Sequence, residues 1–374
     1  MRLLYVTDAL AVHGGLERVL VDKANWLVAY GGYDVFLLTV NQGSHPICFP
    51  LHSDVSYDDL DIRFYQQYHS PFWKRPIINN LLHRLFRERL SNKILEVAPD
   101  VIICTRLDYV CDMVRIKGAI PLVFESHSCR LASRFEGDGL LRRLHVWYLQ
   151  LAVRKVDMVV ALTKGDADEW RKLTSKVCII PNVVHLNESE SFSACSTKSV
   201  IFVGRFSKQK DVGSLLRIWA LVHQRHPDWF LHIYGGYGDE QESFFAKIKQ
   251  LDANILVHES TSDILEKYKK NSILLLTSCY EPFGLVLPEA MSCGLPVVAF
   301  DCPYGPSDII TDGGDGFLVS EGNYGEFADR VCLLMDHLDL RIKMSKAGVV
   351  SSKNYDASRI MPFWKQLFCQ LVNF

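Results

Sequence analysis

Short apolar runs alternate with longer amphipathic stretches along nearly the whole chain, and within each run the apolar residues are consecutive rather than every second one. The first half carries LLYVT, DVFLLTV, VIICT, PLVFES and DMVVALT, with helical periodicity between them over Leu16–Tyr30 and Asn79–Val97. A strand that is apolar on both sides must be covered on both faces, so this β-α alternation predicts parallel sheets enclosed by helices. Thr163 followed by Asp166 has the form of a capping box that opens a helix after the fifth run.

Residues 187–198, NESESFSACSTK, break the pattern with a polar, serine-rich stretch expected to be a linker. The alternation then restarts with SVIFVG, WFLHIYG, NILVHE, SILLLTS, PVVAFD and GFLV, separated by helical patterns such as Val212–His226 and Asp263–Lys270. At 374 residues the chain is too long for one ordinary core. The reading is therefore two doubly wound α/β domains, 1–185 and 186–355. They are followed at 356–374 by an amphipathic helix with Ile360, Phe363, Trp364, Leu367, Phe368 and Leu371 on its apolar side. That helix is expected either to pack back across the domain junction or to dock on its own domain.

Composition narrows the function. A formal net charge of −2 gives no basis for bulk nucleic-acid binding. The eleven cysteines include no C-x-x-C pair, and several, such as Cys104 and Cys178, lie in apolar runs, as buried free thiols of a reducing compartment do. No zinc-ligand spacing is present. Asp8 and His13 interrupt the first apolar run, so the N-terminus reads as a strand rather than a signal peptide. No window is long and apolar enough to span a bilayer, and a cytoplasmic location is expected.

Open α/β sheets bind ligands at the carboxyl ends of their strands. Reading only those ends yields Gly14-Gly15, His127, Gly204-Arg205 with Lys210, Gly235-Gly236, and Glu281 with Glu289 eight residues on. Gly14 and Gly15 open a helix whose N-terminus favours phosphate, or they serve a turn of positive φ. They do not form G-x-G-x-x-G, which argues against a dinucleotide oxidoreductase. Arg205 clamps phosphate oxygens with a planar fork and Lys210 adds a point charge, unless both are merely solvated loop cations. In residues 281–289, EPFGLVLPE, the chain turns into a helix at Phe283, Gly284, Leu285 and Val286, leaving backbone N–H groups for phosphate. Glu281 and Glu289 can each accept from paired hydroxyls, one from a sugar and one from a ribose, or be solvated helix carboxylates. His127, beside Glu125, can donate to a sugar hydroxyl or be a satisfied structural histidine. Gly305, Pro306 and Ser307 read as a turn opening a short helix. Two Asp-x-Asp pairs, Asp59/Asp61 and Asp166/Asp168, are poorly placed for a metal: the first precedes an IRFY run taken as a strand, and the second lies within a helix.

Taken in order, Gly14-Gly15, His127, Gly204-Arg205 with Lys210, and the Glu281–Glu289 block resemble glycosyltransferase family 4 over essentially the whole chain. The resemblance implies a GT-B fold, in which two Rossmann-like doubly wound parallel-sheet domains face a central cleft. It implies a retaining enzyme that needs neither metal nor cofactor, with a nucleotide sugar as donor substrate and a glycan or lipid-linked acceptor. It would place Gly14 and Gly15 near the donor phosphates or the acceptor, and His127 on the donor sugar. Arg205 and Lys210 would lie on the diphosphate and Glu281 near the reacting carbon. Gly204, Phe283, Gly284, Leu285 and Val286 would line the donor site, and Glu289 would hold the ribose. The stretch CPYGPSDII resembles a subset acting on galactose- or N-acetylgalactosamine-type UDP donors in bacterial surface polysaccharide assembly. Two positions depart from the family: Asp211 follows Lys210 where glycine is common, and PNVVH stands at the junction where an asparagine-glycine turn is usual. Other readings are a nucleotide-sugar epimerase or hydrolase on the same fold and a non-catalytic nucleotide-sugar-binding subunit. Residues 73–90, WKRPIINNLLHRLFRERL, form a basic amphipathic helix suited either to anionic lipid at the inner membrane face or to packing in the core.

Overall fold

The structure, a computed structural model, describes residues 1–132, 139–236, 238–251 and 253–372. The chain divides into two compact units; the first comprises residues 1–132, 139–183 and 360–372, and the second residues 184–359.

The first unit is built on a seven-stranded parallel sheet. Its strands are β1 (Arg2–Thr7), β2 (Asp34–Thr39), β3 (Ser56–Asp59), β4 (Val101–Cys104), β5 (Leu122–Ser126), β6 (Met158–Ala161) and β7 (Val177–Ile179). They lie in the order β3-β2-β1-β4-β5-β6-β7. The helices are α1 (Gly15–Ala29), α2 (Arg75–Val97), α3 (Leu107–Ile116), α4 (Leu140–Ala152) and α5 (Lys164–Arg171). Every residue of β4 and β5 is buried, and the two strands are apolar on both sides except for Glu125 and Ser126 at the end of β5. α5 starts as the capping box requires, with Thr163 accepting from the Asp166 backbone N–H. One strand was misread. Ile62–Tyr65 is not extended; a 3-10 turn covers Phe64–His69, and the strand is the half-buried SYDD segment before it. Asp59 therefore ends β3 and accepts from the backbone of Gln42 and Gly43, a structural role that alternation in IRFY could not reveal.

The second unit repeats the plan with six parallel strands: β8 (Ser199–Val203), β9 (Phe230–Gly235), β10 (Ile255–Glu259), β11 (Ile273–Leu276), β12 (Val297–Phe300) and β13 (Gly316–Val319). Their order is β10-β9-β8-β11-β12-β13. Its helices are α6 (Val212–Arg225), α7 (Gln241–Ile248), α8 (Ile264–Lys269), α9 (Val286–Ser292), α10 (Gly305–Ile309), α11 (Tyr324–Asp336) and α12 (Leu338–Ser352). Trp219, Phe202, Phe300 and Phe327 anchor its core. The polar stretch 187–198 is not a free linker. Cys195 is buried, Ser193 N–H donates to the Cys293 carbonyl, and Arg341 donates to the Cys195 carbonyl. Serines and an asparagine are suited to this work because their side chains bond neighbouring backbone.

A last helix, α13 (Ala357–Val372), buries Ile360, Met361, Trp364, Leu367 and Phe368; Phe363, expected on the same face, is half exposed instead. Phe368 meets Tyr33 edge-on at 5.7 Å, within the first unit.

Both sheets reverse winding direction beside their first strand, β1 in one and β8 in the other. Loops on either side of such a switch point leave in opposite directions and open a crevice at the carboxyl edge.

Candidate active site

At the switch point of the second unit, β8 and β11 end side by side. Gly204 follows β8, and a Cβ there would stand 3.2 Å from Lys210 Cγ, so glycine makes room for the lysine stem. A 3-10 turn, Lys208–Lys210, leads to Asp211, which adopts φ 43° and caps α6 by accepting from the Ser214 N–H. The departure from glycine at 211 thus keeps the left-handed conformation and adds a cap, since aspartate tolerates that region.

This loop is stitched to the one after β11. Thr277 Oγ1 donates to the Lys210 and Asp211 carbonyls at 3.0 and 3.2 Å, and the Cys279 N–H donates to the Gln209 carbonyl at 2.9 Å. A third loop joins through Glu281, whose N–H donates to the Pro303 carbonyl and whose carbonyl accepts from the Gly305 N–H. Gly305 is compulsory: an added Cβ would lie 2.0 Å from the Phe283 carbonyl oxygen. Tyr304, just before it, holds φ 119°, a strained conformation fixed by these flanking bonds.

Three loops thereby converge on one carboxylate. Glu281 Oε2 accepts from Lys210 Nζ at 2.6 Å and from Ser278 Oγ at 3.0 Å, with the lysine and glutamate side chains 14% and 8% exposed. Two of the expected site residues, 71 positions apart in the chain, are in direct contact. Lys210 spends one of its three donors on Glu281 and keeps two for another anion. Arg205 is exposed, and its guanidinium has no partner among the described residues. Beyond Glu281, Gly284 takes φ 95°, and the backbone N–H groups of Gly284, Leu285 and Val286 have no acceptor among the described residues. These are the backbone groups of the turn that the sequence nominated for phosphate. Phe283 contributes its backbone only; its ring is buried edge-on against Tyr355. Glu289 lies half-buried in α9, where Tyr268 Oη donates to it at 3.3 Å.

In the first unit, Gly14-Gly15 and His127 follow β1 and β5 at the carboxyl edge of the sheet. Gly14 is extended, at φ −108°, so no turn of positive φ requires it. The pair leaves the start of α1 without a side-chain cap from Gly14, and the Glu17 carboxylate packs against it: a Cβ added at Gly14 would lie 2.2 Å from Glu17 Oε2. His127 Nε2 lies 3.0 Å from Glu125 Oε1, and Glu125 forms a buried ion pair with Lys23. Burial acts against the Glu125 charge, but the Lys23 ammonium and the neighbouring His127 ring outweigh it and hold the carboxyl down at about 2. Lys23 was not anticipated. Its signal was available: it lies four residues after Val19 and four before Leu27 on the buried stripe of α1.

Asp166 is occupied structurally, accepting from the Arg130 N–H at 2.7 Å and from Trp170 Nε1 at 3.0 Å. Burial raises its carboxyl to about 6. Asp61 pairs with Arg63, and Asp168 pairs with Arg171.

Comparison with known proteins gives the same division of the chain. Residues 13–188 match the family model described as Glycosyltransferase Family 4, and residues 188–349 the one described as Glycosyl transferases group 1. The chain is 29% identical to an uncharacterized glycosyltransferase of Haemophilus influenzae, with 94% of this chain and 95% of that protein covered. It is 27% identical to the amylovoran biosynthesis glycosyltransferase AmsD of Erwinia amylovora, over 98% of this chain and 99% of that one. Among solved structures, S. aureus TarM in complex with fondaparinux, alpha-GlcNAc-glycerol and UDP superposes with a TM-score of 0.80 at 16% identity, covering 98% of this chain and 99% of that one.

Proposed function

Because the chain belongs to the glycosyltransferases of family 4, with that family's model over its first part and the group 1 model over its second, we propose that it transfers a hexose or N-acetylhexosamine from a UDP-sugar to a glycan or lipid-linked acceptor. In this reading the acceptor is a growing surface polysaccharide, galactose- or N-acetylgalactosamine-type donors are favoured, and the anomeric configuration is retained. The observation that carries the reading is the Lys210–Glu281 pair at the switch point of the second sheet, with beside it the Arg205 guanidinium and the N–H groups at the start of α9, neither of which has a partner among the described residues.

The chemistry follows from that arrangement. As the glycosidic bond breaks, negative charge builds on the departing diphosphate, and fixed cations aimed there lower the barrier. Arg205 and the two unused donors of Lys210 supply that charge, so no metal is needed in the proposal. Glu281 keeps Lys210 in place before the donor arrives, and its carboxylate stabilises the oxocarbenium-like carbon. Glu289 takes the ribose hydroxyls, and His127 takes a hydroxyl of the donor sugar. The acceptor attacks from the face the leaving group vacates, and a phosphate oxygen receives its proton. The likeness to AmsD, an amylovoran biosynthesis glycosyltransferase, and to TarM in complex with UDP supports a polysaccharide product and a uridine diphosphate donor.

A lipid-linked acceptor is supported by the surface of the first unit. Phe72, Trp73, Ile77 and Leu81 are exposed beside Lys74 and Arg84, whereas Phe86 and Leu90 of the same helix are buried. α4 adds exposed Leu144, Trp147 and Tyr148 beside Arg142 and Arg143. Aromatic residues among arginines with few acids suit an anionic interface. No helix among the described residues is long and apolar enough to cross a membrane.

The test is UDP release across UDP-Gal, UDP-GalNAc, UDP-Glc and UDP-GlcNAc with a lipid-linked oligosaccharide acceptor, and NMR of the product anomer. An α-linked product from one donor is expected. Free sugar or an epimer formed without acceptor sinks the transferase reading in favour of a hydrolase or epimerase. Failure to float with anionic liposomes sinks the membrane contact alone.

A further inference from the structure

The Lys23–Glu125–His127 cluster lies wholly within the first unit, and the proposed reaction uses only its last member. We propose that Glu125 is a positioning residue that fixes the proton of neutral His127 on Nε2, so that Nδ1 is the hydrogen-bond acceptor offered to a ligand hydroxyl. The inference rests on the reading that His127 faces the donor sugar, and it reverses the polarity expected from sequence, where His127 was a donor.

Glu125 is an interior residue of β5 and is 1% exposed, so its position is set by the sheet. Both of its oxygens accept from Lys23 Nζ, at 2.5 Å for Oε2. Lys23 is itself 1% exposed and is enclosed by aromatic rings, with Trp364 at 4.1 Å and Tyr5 at 5.2 Å from Nζ to the ring centroids. A cation so enclosed has no solvent to neutralise it, and the glutamate beside it stays ionised. An ionised carboxylate only accepts.

His127 Nε2 lies 3.0 Å from that carboxylate and is sealed from water. Nε2 has no hydrogen-bond partner among the described residues, so its contact with the carboxylate is electrostatic. A bare Nε2 lone pair would face a carboxylate lone pair at this distance, whereas an N–H is attracted to it. The proton of the neutral ring therefore belongs on Nε2. Nδ1 is neither bonded to a described group nor sealed from solvent. A neutral imidazole with bare Nδ1 takes a hydrogen bond from a hydroxyl and gives none.

Long-range proton–nitrogen NMR of the full chain carrying ¹⁵N-labelled histidine tests this directly, with His127 assigned by loss of its signals in His127→Gln. At about pH 8, above the ordinary histidine range, the expected pattern is a protonated Nε2 and a bare Nδ1. In Glu125→Gln the tautomer ratio should fall about tenfold, with kcat down about 10-fold or more, the scale on which losing a histidine's orienting carboxylate acts. Because that variant leaves Lys23 unpaired, Lys23→Met/Glu125→Gln is measured alongside; it removes the stranded cation and should show the same tautomer change. A protonated Nδ1 in the native chain, or an unchanged tautomer in both variants, overturns the proposal. Normal turnover by His127→Ala with the native tautomer pattern intact supports the proton placement and instead overturns the donor-sugar role of His127.

Discussion

Replacing Lys210 by methionine removes an ammonium while keeping the stem that packs beside Gly204. Deleting one member of a fully buried ion pair costs about 3–5 kcal/mol, and deleting one at the surface about 0.2–1 kcal/mol. With side chains 14% and 8% exposed, the Lys210–Glu281 pair lies nearer the buried limit, and Ser278 still bonds the carboxylate left behind. A loss of about 2–3 kcal/mol follows. At roughly 2–4 °C per kcal/mol for a unit of this size, Tm should fall by roughly 5–10 °C. The second step is Lys210→Met/Glu281→Gln. The amide still accepts from Ser278 but carries no stranded charge, so at least half of the lost stability should return. Turnover should not return: both variants lack the cation on the leaving diphosphate and should run on the order of 10²-fold slower. Calorimetry reads the first quantity and UDP release the second. If Lys210→Met melts like the parent chain, or if the double variant melts no higher than the single one, the pair does not act as described.

Arg205→Ala gives the contrasting result, because its exposed guanidinium has no partner among the described residues. Stability by urea titration should change by less than about 0.5 kcal/mol, while turnover falls on the order of 10²-fold; full activity would remove Arg205 from the mechanism. Gly305→Ala should lose stability at or above the usual overpacking range of about 1–3 kcal/mol, since its Cβ meets the Phe283 carbonyl. UDP titration should show weakened binding as that turn shifts, and native affinity would contradict the close approach. Asp166 makes the first unit pH-sensitive. Burial raises its folded carboxyl to about 6 from an ordinary value of 3.8, so the folded state holds the proton more tightly. Its stability is then highest when protonated and declines as pH rises from about 3.8 through about 6, by on the order of 3 kcal/mol. Denaturant melts of Asp166→Asn across pH 4.5–7 should lack that decline, and parallel curves for the two chains would refute the assignment.

Much of this architecture was written in runs of consecutive apolar residues, because a strand covered on both faces admits a polar residue only where a partner meets it, as Lys23 meets Glu125 at the end of β5. β4, β5, β11 and β12 are buried throughout and were legible for that reason. β3 was not: SYDD is a half-buried edge strand with no such run, and its neighbour IRFY imitated one. Lys210 and Glu281 could be nominated from strand ends, but their contact depends on the hydroxyls of Thr277 and Ser278 and the backbone N–H of Gly305, whose bonds leave no periodic trace. Lys23 was hidden by its type, since a lysine on an apolar stripe reads as a flaw in the helix until its partner is known. Residues 187–198 read as a linker and most of them are exposed, yet Asn187 and Ser193 bond neighbouring backbone and Cys195 is buried.

The lid over Lys23 is encoded late. Trp364 comes after all of the second unit, so on a ribosome adding about 5–20 residues per second the strands of the first unit wait roughly 10–40 s for it. Over that interval Lys23 lacks the ring that faces it at 4.1 Å in the finished chain. The first unit is thus the earlier to begin and the later to be completed, and a chain cut short anywhere within the second unit leaves the Lys23–Glu125 pair without Trp364.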